Sequence, residues 1–267
     1  MSNGKQRLDI LLVSKGIISS REKAKAEIMC GNVLVNDKII DKPGTQVDVN
    51  STIVLKDKAV PYVSRGGLKL EKALDVFNVQ VKNKIALDAG ASTGGFTDCM
   101  LKRGAKKVYA VDVGYGQLAY SLREDPRVMV MERTNVRYLT LEDIGEQVDI
   151  ITADLSFISL SKVFKPFYIL LKEEGDLITL IKPQFEVGKR DVGKGGVVKD
   201  FDLHVKAIRK VIDDAKEHNF YICNLNFSPI KGPKGNIEYL AHFKKGYLTD
   251  VFIDVEKVVE ESHHELL

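Results

Sequence analysis

Asp154 and Lys182 are the residues of this 267-residue chain best placed by type and position to do chemistry. Each closes an apolar run, Ile150-Ile-Thr-Ala153 and Leu177-Ile-Thr-Leu-Ile181 respectively. A lysine at the end of a buried strand is costly unless paired, and Asp154 ends what should be the neighbouring strand, so an ion pair is within reach. The plainer alternatives are a lysine reaching back to solvent and a purely structural pair. A second constellation lies upstream, in Ala86-Leu-Asp-Ala-Gly-Ala-Ser-Thr-Gly-Gly-Phe-Thr97. An apolar run stops at Asp88, glycines follow at 90, 94 and 95, and a helix-like run resumes at Thr97. A strand that turns through glycines into a helix lets a ligand approach bare backbone at a helix N-terminus. The spacing is not the G-x-G-x-x-G of dinucleotide sites. The run Lys107-Val-Tyr-Ala-Val-Asp112 then ends in an acid where a ribose-binding carboxylate belongs. The glycines alone could be a packing turn; with Asp112 they point to a nucleoside-like ligand.

The elements that must position these residues alternate. Strands are expected at 84–88, 107–112, 127–131, 148–153 and 176–182, and helices near 97–103, 116–123, 159–171 and 203–218. Such alternation predicts an α/β fold with a parallel sheet covered on both faces, its ligand at the carboxyl ends of the strands. Phe220–Phe227 and Ile237–Phe243 read as an antiparallel pair at the sheet's edge. Ahead of this lies a small α+β module over residues 5–59. It has helices at Arg7–Val13 and Arg21–Met29, a hairpin around Asn36-Asp37, and a strand over Val47–Leu55. Residues 60–63 form a linker, 64–246 the large domain, and 247–267 an acidic extension expected to fray.

Composition bounds the rest. Hydrophobic content of 44% and charged content of 29% are those of a soluble globular protein. No stretch approaches the ~18 apolar residues of a membrane helix, and the first residues lack a signal-peptide core. Cys30, Cys99 and Cys223 are far apart and without paired spacing, which suggests a reducing cytoplasm and no metal site. Net charge is +3, and residues 1–65 hold 11 Lys+Arg against 7 Asp+Glu, so the basic excess belongs to the N-terminal quarter. That is the footprint of a nucleic-acid partner, or simply a solvated face.

Arg7-Leu-Asp9, Ser20-Arg21 with Ala24, and Gly31-Asn-Val-Leu-Val-Asn36 make the module resemble the S-four-type RNA-binding domain. Such domains present the second helix and hairpin to structured RNA, which implies phosphate contacts from Arg7, Arg21, Lys23, Lys25 and Lys38. Arg65 joins this RNA-facing set. The glycine turn with Asp112 resembles the S-adenosylmethionine site of class I (Rossmann-like) methyltransferases, whose sheet also ends in an antiparallel hairpin. Lys69, Asp154, Lys182 and Glu238 match the tetrad of FtsJ-type RNA ribose 2′-O-methyltransferases. Their settings are Gly66-Gly-Leu-Lys69, Ala153-Asp-Leu-Ser-Phe157, Ile181-Lys-Pro-Gln-Phe185 and Asn236-Ile-Glu238. Up to about residue 246 the chain is similar to the haemolysin A (TlyA) family, bacterial proteins that methylate ribosomal RNA at cytidine 2′-hydroxyls. The resemblance implies ribosomal RNA or ribosomal subunits as partners, and no membrane.

A ribose 2′-hydroxyl is a very weak acid. A neutral lysine could accept its proton, or a charged one could steady the developing oxyanion. Lys182 takes this role, oriented by Asp154, with Lys69 and Glu238 holding ribose and lysine in line. Gly90, Ser92, Thr93, Gly94, Gly95 and Phe96 are expected around the methionine end of the cofactor, Asp112 at its ribose and Asn135 near its adenine. Asp154 borders the same site, and Asp88 either contacts the cofactor or braces the turn. Lys189-Arg190, in a glycine- and lysine-rich loop beside Lys182, would clamp RNA phosphates unless the loop is merely solvated. Amino-methylating enzymes place an Asn/Asp-Pro-Pro-aromatic motif where this chain has Asp154-Leu-Ser-Phe157. Carbon-methylating enzymes need a nucleophilic cysteine that no setting here provides. A non-catalytic assembly factor and a membrane-lytic protein are the remaining readings.

Overall fold

The computed structural model describes residues 4–36, 38–55, 61–188, 190–193, 195–246 and 251–267. The chain divides after Leu68 into two compact units.

In the first, β1 (Lys5–Arg7) runs into α1 (Leu8–Ser14) and α2 (Arg21–Met29) follows. Ser20 caps α2, its hydroxyl accepting from the Lys23 amide at 3.3 Å. Four short strands complete the unit: β2 (Val33–Val35), β3 (Lys38–Ile39), β4 (Gln46–Asp48) and β5 (Ile53–Leu55). β2 lies between β3 and β5, whereas β4 pairs with β1. The single strand expected over 47–55 is therefore two, in different sheets. Asp48 causes the break, because its carboxylate accepts from the Asn50 amide at 2.8 Å and turns the chain. The hairpin residue Asp37 lies outside the described residues.

The second unit opens in α3 (Gly66–Val76), which begins just before the division. Then β6 (Ile85–Ala89), α4 (Gly95–Lys102), β7 (Lys107–Val111), α5 (Tyr120–Arg123), β8 (Val128–Met131), α6 (Leu141–Ile144), β9 (Val148–Ala153), α7 (Phe164–Leu170), β10 (Leu171–Ile181), α8 (Pro183–Glu186) and α9 (Phe201–Lys216) follow. The chain closes with β11 (Phe220–Phe227), β12 (Tyr239–Lys245) and α10 (Val255–Leu266). One seven-stranded sheet has the order β11-β12-β10-β9-β6-β7-β8. Strands β6 to β10 pair in parallel, and β12 inserts antiparallel between β10 and β11. Leu87, Ile151, Phe164, Phe167, Tyr239 and Phe243 anchor its core, none more than 1% exposed.

Three elements differ from the sequence reading. The helix expected over 159–171 splits into a 3-10 turn at Leu160–Lys162 and α7, and β10 starts as early as Leu171 with an irregular register before Asp176. The helix expected from 116 starts only at Tyr120, because the preceding turn bends through Gly116 with φ +69°. The tail does not fray: α10 packs on α9 and β11 and buries Val255, Val259 and Ser262. Its apolar residues recur at 255, 258, 259 and 266, a helical spacing hidden under acidic neighbours.

Candidate active site

β6 has β7 on one side and β9 on the other, so the sheet's switch point lies at its carboxyl end, where an open α/β sheet leaves a crevice. The glycine turn stands there. Gly90 has φ +84°, and a Cβ on it would come within 2.8 Å of the Asp154 carbonyl oxygen; only glycine lets the two strand ends approach this closely. Gly94 caps α4. Asp112 follows β7, and its carboxylate is held by two backbone amides, from Ser92 at 2.8 Å and Gly114 at 2.7 Å. Gly90, Ser92, Asp112, Asn135 and Asp154 line a cavity of about 460 Å³. Asn135 keeps its place by accepting from the Arg137 amide at 3.1 Å.

The other residues expected at the cofactor support this wall from behind. Gly95 and Phe96 are buried in the first turn of α4, Thr93 precedes it, and none of the three lines the cavity. Asp88 is fully buried and takes hydrogen bonds from Thr97 Oγ1 at 2.7 Å and Thr152 Oγ1 at 3.2 Å. It braces the turn. Burial pushes its carboxyl up to about 7, with Asp154 nearby adding to the shift and the two threonine bonds opposing it. A carboxyl whose pKa is higher folded than unfolded binds more protons when folded, so stability falls as pH rises from the unfolded value of about 3.9 through the folded one. Thermal melts of Asp88→Asn against the parent between pH 5 and 8 should therefore show the parent losing stability relative to the variant. Parallel curves would contradict the burial argument.

The tetrad assembles on four elements: Lys69 on α3, Asp154 after β9, Lys182 after β10 and Glu238 before β12. Lys69 Nζ lies 2.6 Å from Glu238 Oε2 and 3.5 Å from Asp154 Oδ2, and Lys182 Nζ lies 2.5 Å from Asp154 Oδ1. Lys182 also donates to Ser156 Oγ at 3.1 Å. The result is a chain of alternating charge, Glu238–Lys69–Asp154–Lys182, two anions against two cations, with both lysines buried. Burial alone would raise the Asp154 carboxyl, but the ammonium charges of Lys69 and Lys182 outweigh it and hold it at about 2. Asp154 is thus a carboxylate at any working pH.

A second cavity, of about 290 Å³, opens beside Lys182 and Glu238, and Ser156 and Phe157 line both cavities. Phe157 is 87% exposed, sits at φ +64°, and its ring lies 5.3 Å from that of Phe185. A bulky residue held in the left-handed region is strained, and such strain gathers at functional sites. The sequence reading quoted Ser156 and Phe157 within a motif but gave them no role. Gln184, within another quoted motif, and Lys234 are also in this wall and were likewise given no role. No periodicity marks a residue whose importance lies in one dihedral angle.

The expected RNA-facing residues divide by environment. Arg7 and Arg21 both pair with the fully buried Asp9, at 2.9 and 3.0 Å, so each has a structural task. Burial would raise the Asp9 carboxyl, yet the two guanidinium groups bring it below its ordinary value. Lys23 and Lys38 are exposed and Lys25 half-buried, Arg65 lies 3.9 Å from Asp41, and Arg190 is exposed. Lys189 lies outside the described residues. Among the described residues no His/Cys/Asp/Glu cluster could hold a metal ion, and no helix is long and apolar enough to cross a membrane.

With this geometry in place, residues 62–245 match the FtsJ-like methyltransferase family. The chain belongs to that family. Residues 6–53 match the S4 domain. Over 234 residues, 87% of each chain, the sequence is 47% identical to the 16S/23S rRNA (cytidine-2′-O)-methyltransferase TlyA of Mycobacterium tuberculosis. It is also 47% identical, over 100% of this chain and 97% of the other, to YqxC of Bacillus subtilis, provisionally described as an rRNA methyltransferase. Among solved structures, one from Streptococcus thermophilus, provisionally described as a hemolysin, shares 42% identity and a TM-score of 0.79, covering 99% of this chain and 98% of that one. The chain is thus an FtsJ-like methyltransferase of α/β architecture with an S4 domain.

Proposed function

We propose that the protein transfers a methyl group from S-adenosylmethionine to a ribose 2′-hydroxyl of ribosomal RNA, with cytidine as the target nucleotide. One observation carries the reading. The Asp154–Lys182 contact joins a cavity suited to a nucleoside to a second cavity that ends at two buried charges, and Ser156 and Phe157 line both. The first cavity fits S-adenosylmethionine: Asp112 is oriented by backbone amides to receive ribose hydroxyls, and the missing Cβ at Gly90 keeps the floor open. When bound, that cofactor supplies an electrophilic methyl group on a sulfonium centre.

The protein's own part is to place and activate the oxygen. Lys182, paired with the Asp154 carboxylate, acts as a charged donor that steadies the oxygen while the hydroxyl proton passes to solvent as the oxygen–methyl bond forms and the sulfonium carbon–sulfur bond breaks. Lys69 and Glu238 complete the neutral set and fix the angle of approach; aligning oxygen and methyl accounts for the remaining acceleration. A buried ion tetrad is seldom better for stability than apolar packing of the same volume, which favours a chemical role. Base methylation finds less support, since none of the three cysteines lines either cavity and Asp154-Leu-Ser-Phe157 lacks the prolines.

The target nucleotide must leave its stack to reach Lys182, and Phe157 offers its base an aromatic face. Base–aromatic stacking is worth about 1–3 kcal/mol, so Phe157→Ala should weaken binding of substrate RNA about tenfold. Because the ring is largely exposed and buries little apolar surface, the melting temperature should not fall. Equal RNA affinity of variant and parent in a filter-binding titration would remove Phe157 from the account. Exposed lysines of the S4 unit would add phosphate contacts, steep in salt and indifferent to sequence.

Mass-spectrometric nucleoside analysis tests the assignment. Ribosomal RNA or subunits incubated with protein and S-adenosylmethionine should gain 2′-O-methylcytidine. A base-methylated nucleoside instead would refute it.

A further inference from the structure

A set of buried polar side chains lies behind Glu238, away from both cavities. Neighbouring residues of a strand point to opposite faces, so Tyr239 is the anchor on the far side of Glu238. Its hydroxyl lies 2.7 Å from His204 Nδ1 on α9 and 3.0 Å from Ser262 Oγ on α10. His263 of α10 stands 3.1 Å from the same His204 nitrogen. The other His204 nitrogen, Nε2, lies 3.0 Å from the Val198 carbonyl oxygen. A carbonyl only accepts, so Nε2 carries the proton and Nδ1 of the neutral ring accepts from Tyr239. Burial lowers the affinity of both histidines for a second proton, which keeps that arrangement.

The chain of contacts then returns to the site. The Val198 amide donates to Asn236 Oδ1 at 3.0 Å, and Asn236 Nδ2 donates to the Gly196 carbonyl at 2.8 Å. Asn236, Gly196 and Glu238 all line the cavity beside Lys182. On α3, one turn beyond Lys69, burial brings the Lys72 ammonium below its ordinary value, and the Glu265 and Glu261 carboxylates of α10 oppose that shift. The C-terminal helix thus reaches the wall beside Glu238 through a continuous run of hydrogen bonds.

We infer that α10 is a positioning element of the methyl-transfer site: through Ser262, Tyr239 and His204 it holds Val198 and Asn236, and with them the wall that carries Glu238. The inference rests on the functional reading above, because it concerns the same tetrad. It assigns no bond-making role to these residues. Their effect is on how often the wall is in place, which belongs to kcat rather than to cofactor affinity.

The test compares His204→Ala, His204→Gln and Tyr239→Phe in the full chain. Glutamine can return the donor to Val198, and phenylalanine removes one hydroxyl while keeping the ring. Loss of one buried hydrogen bond to the wall should speed hydrogen exchange in the peptide over residues 195–200 about tenfold and lower kcat on ribosomal RNA by a similar factor. The Kd for S-adenosylmethionine should stay within about twofold, and His204→Gln should recover most of both losses. Should His204→Ala fail to fold, Tyr239→Phe carries the comparison. Unchanged exchange, unchanged kcat despite faster exchange, or a loss that glutamine does not recover would each overturn the inference. Wild-type protein that methylates no ribosomal RNA would refute the functional reading instead, and the exchange data would then decide the anchoring alone.

Discussion

Lys182→Ala should lower kcat about 10³-fold, the range seen when a group serving the reacting oxygen is removed. The Kd for S-adenosylmethionine should stay within about twofold, because Lys182 borders the second cavity and not the one lined by Asp112. The separation is the informative part. A variant that lost cofactor binding as well would show that Lys182 supports the fold of the crevice. Lys182→Arg keeps a charge but not the geometry, since a guanidinium is broader and cannot reproduce an ammonium 2.5 Å from Asp154 Oδ1. It should recover little. Stopped assays with cofactor titrated calorimetrically read both quantities from one preparation.

Gly90→Ala should act on the other cavity. The added Cβ would stand 2.8 Å from the Asp154 carbonyl oxygen, on a residue whose φ is +84°. Left-handed backbone costs a non-glycine residue about 1–2 kcal/mol, and the overlap adds a cost of about 1–3 kcal/mol. The turn relieves both by moving off Asp154, so S-adenosylmethionine affinity should fall about 30-fold and kcat should fall with it. Gly145→Ala is the control, since Gly145 has φ +76° with no atom within 4 Å of its would-be Cβ. It carries the backbone strain without the contact and should leave cofactor binding unchanged. Equal effects of the two variants would place the cost in general stability.

How much of this was legible in the residues varies with the physical signal. The tetrad could be read because a charge closing an apolar run is conspicuous, and the glycine turn because a strand, a turn and a helix follow within about a dozen residues. The parallel sheet followed from alternation, and the pairing of β11 with β12 from two apolar runs joined by glycines and prolines. The insertion of β12 between β10 and β11 brings Glu238 to Lys69, a long-range contact that no local pattern encodes. Asp88 ends its strand beside the turn and could be read either as a ligand or as a brace; the hydroxyls of Thr97 and Thr152 that bond it favour the brace. Arg7 and Arg21 looked like free surface charge until Asp9 was found buried between them. The α10 stripe was masked by acids, and the strain at Phe157 leaves no trace in composition.

On the proposed reaction the methyl group goes to a ribose oxygen steadied by Lys182. Ribosomal RNA labelled from S-adenosylmethionine and digested with alkali tests it directly, because a methylated 2′-oxygen blocks cleavage at its own nucleotide. Wild-type protein should leave label in an alkali-resistant dinucleotide, and Lys182→Ala should leave almost none. Label released entirely in mononucleotides, or resistant label undiminished in Lys182→Ala, would contradict it.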